Sequence, residues 1–134
     1  MDIWVRDNKQ LEEMKEHREN KKYLPDVKIP ENINMTDDIS NVIYDKDLLV
    51  LSIATHGIRE VLSNYNKLFN KDQVIVNVAK GIENGTLLRV SEIVSELLPN
   101  NPYAVLSGPS HAEEVARNMP TTVVSASADK RVAK

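Results

Sequence analysis

Short apolar runs alternate with stretches of helical periodicity along the whole chain. The apolar runs predict six strands, at residues 1–5, 33–35, 48–53, 74–78, 103–106 and 121–126. Apolar residues at helical spacing predict five helices between them, at residues 7–20, 36–42, 55–65, 86–98 and 110–118. Strands that alternate with helices over short connections are typical of a doubly wound α/β fold with a parallel sheet.

Polar residues at the predicted helix starts form capping patterns. Asp7 with Gln10, and Ser110 with Glu113, have the capping-box spacing, in which each side chain accepts a hydrogen bond from the other residue's backbone amide. Thr55 is predicted to cap the third helix with its hydroxyl group. These capping residues predict the starts of the first, third and fifth helices.

Two stretches allow more specific predictions. Leu48–Ile53 is an almost continuous apolar run, which is typical of a parallel strand covered on both faces. Pro25 and Pro30 exclude a regular helix between residues 21 and 34, because proline cannot continue a helix. This segment is predicted to be irregular.

The composition limits the class of protein. The chain has 134 residues, about one domain, and its 41% hydrophobic and 28% charged residues are typical of a globular protein. A net charge of −3 argues against a dedicated nucleic-acid-binding protein. The absence of Cys excludes disulfides, zinc–thiolate sites and cysteine nucleophiles. The His and Asp residues lack the spacing of a metal site, so we expect no metal.

The chain carries no recognisable targeting segment. No apolar stretch approaches the roughly 18 residues needed to cross a membrane, and no signal peptide opens the sequence. We therefore expect a cytoplasmic protein with no membrane or nucleic-acid partner. The abrupt first strand and the unfinished segment from Asp129 lead us to expect that both ends are cuts through a larger fold.

The first candidate for chemistry follows the fourth predicted strand. Lys80 and Gly81 come directly after residues 74–78, and the carboxyl ends of strands line the ligand crevice of a doubly wound sheet. There an ammonium group can bind a phosphate or a substrate oxygen, and glycine lets the backbone approach a ligand closely. The alternative, favoured by spacing alone, is a solvated lysine in a turn.

A second candidate follows the fifth predicted strand. Gly108 precedes the helix that Ser110 is predicted to cap, and the free backbone amides of that helix start would form an anion site. An ordinary strand–turn–helix corner accounts for these residues equally well.

A third candidate lies at the end of the first predicted strand. In dinucleotide-binding folds, an acid after the second strand favours the ribose 2′-hydroxyl of NAD, whereas an arginine accommodates the 2′-phosphate of NADP. This chain has Arg6 followed by Asp7, so the choice between NAD and NADP stays open. Asp7 is the predicted helix cap, which makes Arg6 the better candidate contact, with a surface arginine as the alternative.

Several short strings recur in order over nearly the whole chain. They are Ile3-Trp4-Val5-Arg6, Asn20 with Tyr23-Leu24-Pro25, Ile29-Pro30-Glu31-Asn32-Ile33, Lys80-Gly81-Ile82-Glu83, Ser91-Glu92-Ile93, Ser107-Gly108-Pro109-Ser110, Ala112-Glu113-Glu114-Val115-Ala116 and Pro120-Thr121. In this order and spacing the chain resembles the bacterial-type members of the NAD(P)-dependent glycerol-3-phosphate dehydrogenase family.

The resemblance implies a Rossmann-like cofactor domain and hydride transfer between NAD or NADP and glycerol 3-phosphate or dihydroxyacetone phosphate. It further implies a role in supplying glycerophospholipid synthesis. The residues that it implies for cofactor binding are Arg6, Tyr23 (more weakly), Lys80 and Ala112. The residues that it implies for binding the phosphate-bearing substrate are Lys80, Gly108 and Ser110.

The sequence departs from the family pattern in two places. The family's G-x-G-x-x-G segment, which seats the pyrophosphate on a helix N-terminus, belongs before the first strand and does not occur here. The helical C-terminal substrate domain, which carries the family's general acid/base lysine, does not occur either. We therefore expect residues 1–134 to be a partial cofactor domain without a catalytic residue, inactive alone. A homodimer of the full-length protein is left open.

The expected fold is thus an incomplete doubly wound sheet that lacks its first strand. In the strand order 3-2-1-4-5-6 that strand is central, so residues 3–5 and 48–53 would have unpaired facing edges. We expect either direct pairing of these two strands or poor packing of residues 1–45 against the rest.

Two alternative functions stay open at this point. One is another reductase of the same superfamily, such as a ketopantoate reductase, against which the strings at residues 80–83 and 108–110 argue. The other is a non-catalytic nucleotide-binding or assembly module that kept the fold and lost the chemistry.

Overall fold

Strands and helices alternate through residues 1–133, the part of the chain that the computed structural model describes. The strands are β1 (Asp2–Trp4), β2 (Glu19–Asn20), β3 (Leu24–Lys28), β4 (Asn34–Thr36), β5 (Leu48–Leu51), β6 (Val74–Asn77), β7 (Tyr103–Ser107) and β8 (Val124–Ala126). The helices are α1 (Asn8–His17), α2 (Ser40–Ile43), α3 (Thr55–Tyr65), α4 (Val90–Leu97) and α5 (Ala112–Ala116), with a 3₁₀ turn at Asn66–Leu68. The predicted α/β class is confirmed.

The chain divides into two units. Residues 1–44 and 110–121 form the N-terminal unit, and residues 45–109 and 122–133 form the sheet unit. In the N-terminal unit β1 pairs in parallel with β4, and β2 pairs antiparallel with β3. The sheet unit has the strand order β5-β6-β7-β8. Its first three strands are parallel and β8 is antiparallel to β7, so the sheet is mainly rather than wholly parallel.

The core of the sheet unit lies between the sheet and two helices. α3 packs against α4, and α4 packs against β7. Ile58 and Leu62 of α3 and Ile93 of α4 are completely buried. Ile58 and Leu62 are four positions apart, so one helix face carries both side chains inward. Ile75 of β6 is also completely buried.

β5 is packed on one face only. Leu49 and Leu51 are buried, whereas Leu48 and Val50 are 53% and 52% exposed. Successive side chains of a strand point to opposite faces, and within residues 1–133 only one face of β5 is covered. The prediction that this run is covered on both faces is therefore wrong for the described chain.

β1 and β5 do not pair with each other. Among the described residues, β1 has β4 as its strand partner and β5 has β6. The predicted direct pairing is wrong, because the chain folds these two strands into separate units. The other expectation, poor packing of residues 1–45, stays a prediction.

The core of the N-terminal unit is small and aliphatic. Val5, Leu11, Met14 and Met35 are buried together, with Ile3 and Ile29 packed against them. The first helix was predicted to reach residue 20 but α1 ends at His17, because Arg18 takes a left-handed conformation with φ of 49°. The Arg18 guanidinium then donates to the carbonyl oxygens of Ile29 and Ile33.

A β-hairpin, residues 19–28, occupies much of the segment that was predicted to be irregular. Glu19 accepts from the backbone amide of Asp26 at 3.0 Å and from the Lys28 ammonium at 3.2 Å. Pro25 lies inside β3, where it is tolerated because a two-stranded ribbon consists of edge strands. The prolines exclude a helix here, as predicted, but not a strand.

The capping predictions met different outcomes at the first and third helices. Asp7 caps α1 as predicted, accepting from the amides of Lys9 and Gln10 at 2.9 and 3.1 Å. The Gln10 side chain donates to Asn20 instead of completing the box with Asp7. At α3 the N-cap residue is Ala54, so Thr55 is the first helical residue and not the cap.

The fourth and fifth helices are shorter than predicted. α4 begins at Val90 and not at residue 86, because Leu87 has a φ of 60° that a helix cannot contain. α5 begins at Ala112 after His111, whose side chain makes no capping bond. The predicted box between Ser110 and Glu113 is therefore not formed, because the helix starts one position later than that pairing requires.

Candidate functional site

Two adjacent corners of the sheet unit bring candidate residues together. Lys80 follows β6 and Gly108 follows β7, and these strands are parallel neighbours, so their carboxyl ends lie side by side. The Lys80 ammonium donates to the Gly108 carbonyl oxygen at 3.0 Å. Lys80 is exposed along its side chain, so this bond holds a cation at the open edge of the sheet.

Side chains at two other positions hold the backbone next to this lysine. The segment between β6 and α4, residues 78–89, is named the lysine loop. The buried Asn77 side chain accepts from the Ala79 amide at 3.1 Å and donates to the Ala79 carbonyl at 3.0 Å. The buried Thr55 hydroxyl donates to the Lys80 carbonyl at 2.8 Å. The backbone of Ala79 and Lys80 is thus fixed by polar groups on β6 and α3.

An arginine on α3 anchors the middle of the lysine loop. Arg59 donates to both carboxylate oxygens of Glu83, at 2.8 and 3.0 Å, and to Glu96 at 2.8 Å. Thr86 donates to the same Glu83 carboxylate. The Arg59 and Thr86 hydrogen bonds hold the pKa of the buried Glu83 carboxyl below its usual 4.5. The two carboxylates in turn raise the pKa of Arg59, so the guanidinium stays charged.

The far end of the loop closes on itself before α4. The Glu83 amide donates to the Leu88 carbonyl at 2.8 Å, and Ile82 and Arg89 form an isolated antiparallel bridge. Gly81 has a φ of 104°, a conformation that favours glycine. The lysine loop therefore has a defined path and is more than a solvated turn.

Gly108 is a glycine for a packing reason. A Cβ atom at this position would lie 2.3 Å from the Thr122 carbonyl oxygen and 3.0 Å from the Val123 Cα. Backbone atoms at that distance cannot give way as a flexible side chain can. The absence of a side chain at Gly108 thus lets residues 122–123 pass close to the carbonyl that receives Lys80.

Ser110 and Ala112 belong to the N-terminal unit, whereas Gly108 belongs to the sheet unit. α5 is five residues long and its first turn carries Glu113 and Glu114, whose charges oppose an anion at the helix start. The predicted anion site at this corner is not supported by the helix itself. The roles implied for Ser110 and Ala112 stay predictions.

Arg6 is exposed two residues after the end of β1, and its neighbour in the sequence, Asp7, lines an open pocket of the N-terminal unit. The pocket has a volume of about 460 Å³ and is lined by Asp7, Lys9, Gln10, Glu13 and Lys22. The amide of Gln10, with that of Lys9 and the Lys22 charge, holds the pKa of the Asp7 carboxyl below its usual 3.8. One oxygen of the Asp7 carboxylate is occupied by the helix cap, and the rest of the lining combines the Lys9 and Lys22 cations with the exposed Glu13 carboxylate.

Tyr23 occupies the turn of the hairpin. Its side chain is 63% exposed, and the Lys22 ammonium lies 5.0 Å from the centre of its ring. Such a cation–π contact orders an exposed ring only weakly. Tyr23 therefore presents an exposed aromatic ring in the hairpin turn, with the Lys22 ammonium over it.

Four residues of this arrangement were missed by reasoning from the sequence: Thr55 (as a loop contact), Arg59, Asn77 and Glu83. A signal existed for Asn77, since an amide that ends the apolar run Val74-Ile75-Val76 is an unusual residue for a strand interior. The partners of Arg59 lie 24 and 37 positions away, so spacing alone gave no signal.

Neither a metal-binding group of side chains nor a membrane-spanning helix occurs among the described residues. Within residues 1–133 no three His, Asp or Glu side chains are grouped closely enough to hold a metal ion. In the same range no helix is long and apolar enough to span a membrane.

Comparison with known proteins identifies relatives over the whole described chain. The family model described as the NAD-dependent glycerol-3-phosphate dehydrogenase N-terminus matches residues 1–133. A glycerol-3-phosphate dehydrogenase (NAD(P)+) of Halothermothrix orenii is 46% identical over 98% of this chain. One of Thermoanaerobacter is 45% identical over 93% of it. This chain spans 38% and 37% of the lengths of those two proteins.

Solved structures agree with the sequence relatives. The glycerol-3-phosphate dehydrogenase of Coxiella burnetii superimposes with a TM-score of 0.89 at 28% identity, covering 97% of this chain and 40% of that one. That of Plasmodium falciparum gives a TM-score of 0.87 at 26% identity, covering 99% and 40%. The chain thus corresponds to about two fifths of each of these proteins.

Proposed function

The chain belongs to the NAD-dependent glycerol-3-phosphate dehydrogenase family, whose N-terminal part it matches. From this premise we propose that it is the cofactor-binding part of an oxidoreductase. The proposed reaction interconverts dihydroxyacetone phosphate and sn-glycerol 3-phosphate, with NAD or NADP as the cofactor. The observation that carries the proposal is the Lys80 ammonium held at 3.0 Å on the Gly108 carbonyl, at the carboxyl edge of a parallel sheet. Ligands of such sheets bind at that edge.

The described residues fit the adenosine end of a dinucleotide. Arg6 is exposed two residues after the end of β1, and the pocket lined by the following residue, Asp7, carries Lys9 and Lys22. Beside the Asp7 and Glu13 carboxylates, the corner offers the Lys9 and Lys22 cations to a phosphate and the exposed Tyr23 ring to a base. When bound, the cofactor supplies or accepts the hydride.

Lys80 is proposed to bind the phosphate-bearing substrate and orient it. The Lys80 ammonium is a donor of hydrogen bonds, and the oxygens of a phosphate-bearing substrate are acceptors. The positive charge of the ammonium also stabilises the negative charge that develops on the C2 oxygen as the carbonyl is reduced. Gly108, Ser110 and Ala112 keep the binding roles that the resemblance implies. The general acid/base lysine is proposed to lie outside this chain.

The metabolic role, the location and the oligomeric state of the full-length protein are also proposals. sn-Glycerol 3-phosphate is the backbone of glycerophospholipids, so we propose that the reaction supplies their synthesis. We propose a cytoplasmic location, since the substrate and the cofactor are both charged metabolites. The full-length protein is proposed to form a homodimer, with no nucleic-acid or membrane partner.

Turnover by the complete protein that carries this sequence tests the proposal. The loss of reduced cofactor is followed with dihydroxyacetone phosphate, for NADH and NADPH in turn. Lys80→Ala is expected to lower kcat/KM by about 100-fold, the usual loss when one donor to a developing oxyanion is removed. Lys71→Ala makes the same charge change at the amino end of β6 and is expected to leave kcat/KM unchanged.

Two other outcomes would identify a different function, and a third would contradict the role of Lys80. Reduction of ketopantoate in place of dihydroxyacetone phosphate would assign the protein to another reductase of the superfamily. Binding of a nucleotide without turnover of either substrate would support a non-catalytic module. Equal losses for Lys80→Ala and Lys71→Ala would contradict the role of Lys80 while leaving the reaction intact.

A further inference from the structure

We propose that Thr55 is a positioning residue for Lys80, and that Asn77 shares this role. The proposal rests on the proposed function of Lys80 and names residues that act on it through the backbone. Thr55 begins α3, and Asn77 ends β6, so both lie at the same edge of the sheet as Lys80. Neither residue belongs to the binding set that the family resemblance implies.

The first argument is burial. Thr55 and Asn77 are 8% and 3% exposed, although both carry polar groups and stand beside an exposed loop. A buried polar group is costly unless its hydrogen bonds are made, and these two side chains make theirs with the backbone of Ala79 and Lys80.

The second argument is geometry. The Thr55 hydroxyl holds the Lys80 carbonyl at 2.8 Å, and the Lys80 ammonium reaches the Gly108 carbonyl at 3.0 Å. Lys80 is thus fixed at its backbone and at the tip of its side chain. Four rotatable side-chain bonds separate these points, so loss of the backbone anchor spreads the ammonium over many positions. Misplacement by about 1 Å is enough to reduce turnover up to 100-fold.

A double-mutant cycle in the complete protein tests this proposal. Thr55→Val removes the hydroxyl donor and keeps the shape, and it is expected to lower kcat/KM for dihydroxyacetone phosphate by about tenfold. Thr55→Ser keeps a hydroxyl and is expected to restore kcat/KM to within about twofold. In a Lys80→Ala background, Thr55→Val is expected to cause no further loss beyond about twofold, because residues that act through one another are not additive.

The matched control removes an equivalent bond elsewhere in the sheet unit. The Ser127 hydroxyl donates to the Tyr103 carbonyl at 2.6 Å, at the amino end of β7. Ser127→Ala is expected to leave kcat/KM unchanged. Where Thr55→Val fails to fold, Thr55→Ala removes the same hydroxyl without added bulk and takes its place in the cycle.

Hydrogen–deuterium exchange separates this proposal from the proposed reaction. Thr55→Val is expected to speed exchange within residues 78–89, and Ser127→Ala is not. Unchanged exchange in that segment would overturn the positioning role whatever the reaction. Full additivity of Thr55→Val with Lys80→Ala in an active protein would also overturn it. If Thr55→Val speeds exchange within residues 78–89 but the unsubstituted protein does not turn over dihydroxyacetone phosphate, the proposed reaction is overturned and the positioning role is kept.

Discussion

The lysine loop and the hairpin are both short connecting segments with candidate binding residues, but they are held in different ways. Bonds to the lysine loop come from far along the sequence: Thr55 is 25 positions from Lys80, and Arg59 is 24 positions from Glu83. The hairpin is held by neighbours, since Glu19 bonds to residues seven and nine positions away. The loop thus depends on the fold of the sheet unit, and the hairpin mainly on itself.

The difference has a functional meaning under the proposed reaction. A group that meets the reacting end of a substrate must be placed accurately, and distant elements of a fold provide a rigid frame for it. A group that meets the adenosine end of a cofactor tolerates some freedom, because no bond changes there. Buried polar contacts around Lys80 and exposed ones around Tyr23 follow this division.

The largest expected effect on stability comes from Gly108, whose carbonyl oxygen receives the Lys80 ammonium of the lysine loop. In Gly108→Ala the new methyl group meets backbone atoms of residues 122–123 that cannot move aside. We expect a loss of about 3 kcal/mol or more in the free energy of unfolding, at the upper end of the cost of overpacking. Urea unfolding of the complete protein measures this loss.

A second glycine serves as the control for that experiment. Gly57 lies in α3, and a Cβ atom added there would have no atom within 4 Å outside its own helix backbone and chain neighbours. Gly57→Ala is expected to raise the free energy of unfolding by about 0.5–1 kcal/mol, since alanine is the better helix former. A Gly108→Ala protein as stable as the Gly57→Ala protein would mean that residues 122–123 are not tightly packed against the corner.

A smaller effect is expected on the pH dependence of stability, for which one carboxylate from each region is compared. Glu83 and Glu19 both have pKa values below the usual 4.5, Glu83 through Arg59 and Glu19 through the Asp26 amide and then Lys28. Each therefore binds fewer protons in the folded than in the unfolded chain. Its contribution to stability is complete above pH 4.5 and is lost as pH falls through the folded pKa.

Replacement of these carboxylates should flatten the loss of stability in acid. We expect Glu83→Gln to reduce the change in urea midpoint between about pH 5 and about pH 3 more than Glu19→Gln does. The reason is that Glu83 is buried and bonded to a bidentate arginine, whereas the Lys28 partner of Glu19 is exposed. Glu16→Gln, on the exposed face of α1, controls for the loss of a charge. Equal flattening by both substitutions would remove the distinction between the regions.

The smallest effect is expected in the hairpin turn. Tyr23→Ala removes a ring that is 63% exposed, so the urea midpoint is expected to stay within error of the unsubstituted protein. The KM for the reduced cofactor is expected to rise by about threefold, through the loss of one weak stacking surface. Tyr23→Phe is expected to restore it. A fall in kcat with unchanged KM would place Tyr23 at the reacting end and contradict the comparison.

Local patterns predicted much of the fold because they depend on neighbouring residues. Apolar runs located six of the eight strands to within a few residues but missed β2 and β3. Asp7 caps α1 because the amides that it accepts from are two and three positions away. The failures were of a different kind. Residue 86 was predicted to begin a helix, but Leu87 turns to positive φ and α4 starts at Val90. The Thr86 hydroxyl bonds to Glu83, which is itself held by Arg59 from 24 positions away.

The sequence by itself determined the α/β class, the family, and the position of Lys80 and Gly108 after two strands. These conclusions follow from periodicity and motif order, which are properties of the chain read in one dimension. Only the tertiary structure decided that Thr55 and Asn77 hold the backbone beside Lys80, and that Gly108 is a glycine because residues 122–123 pass against it. Parallel strands bring residues far apart in the sequence into contact, and no local pattern encodes which of them meet.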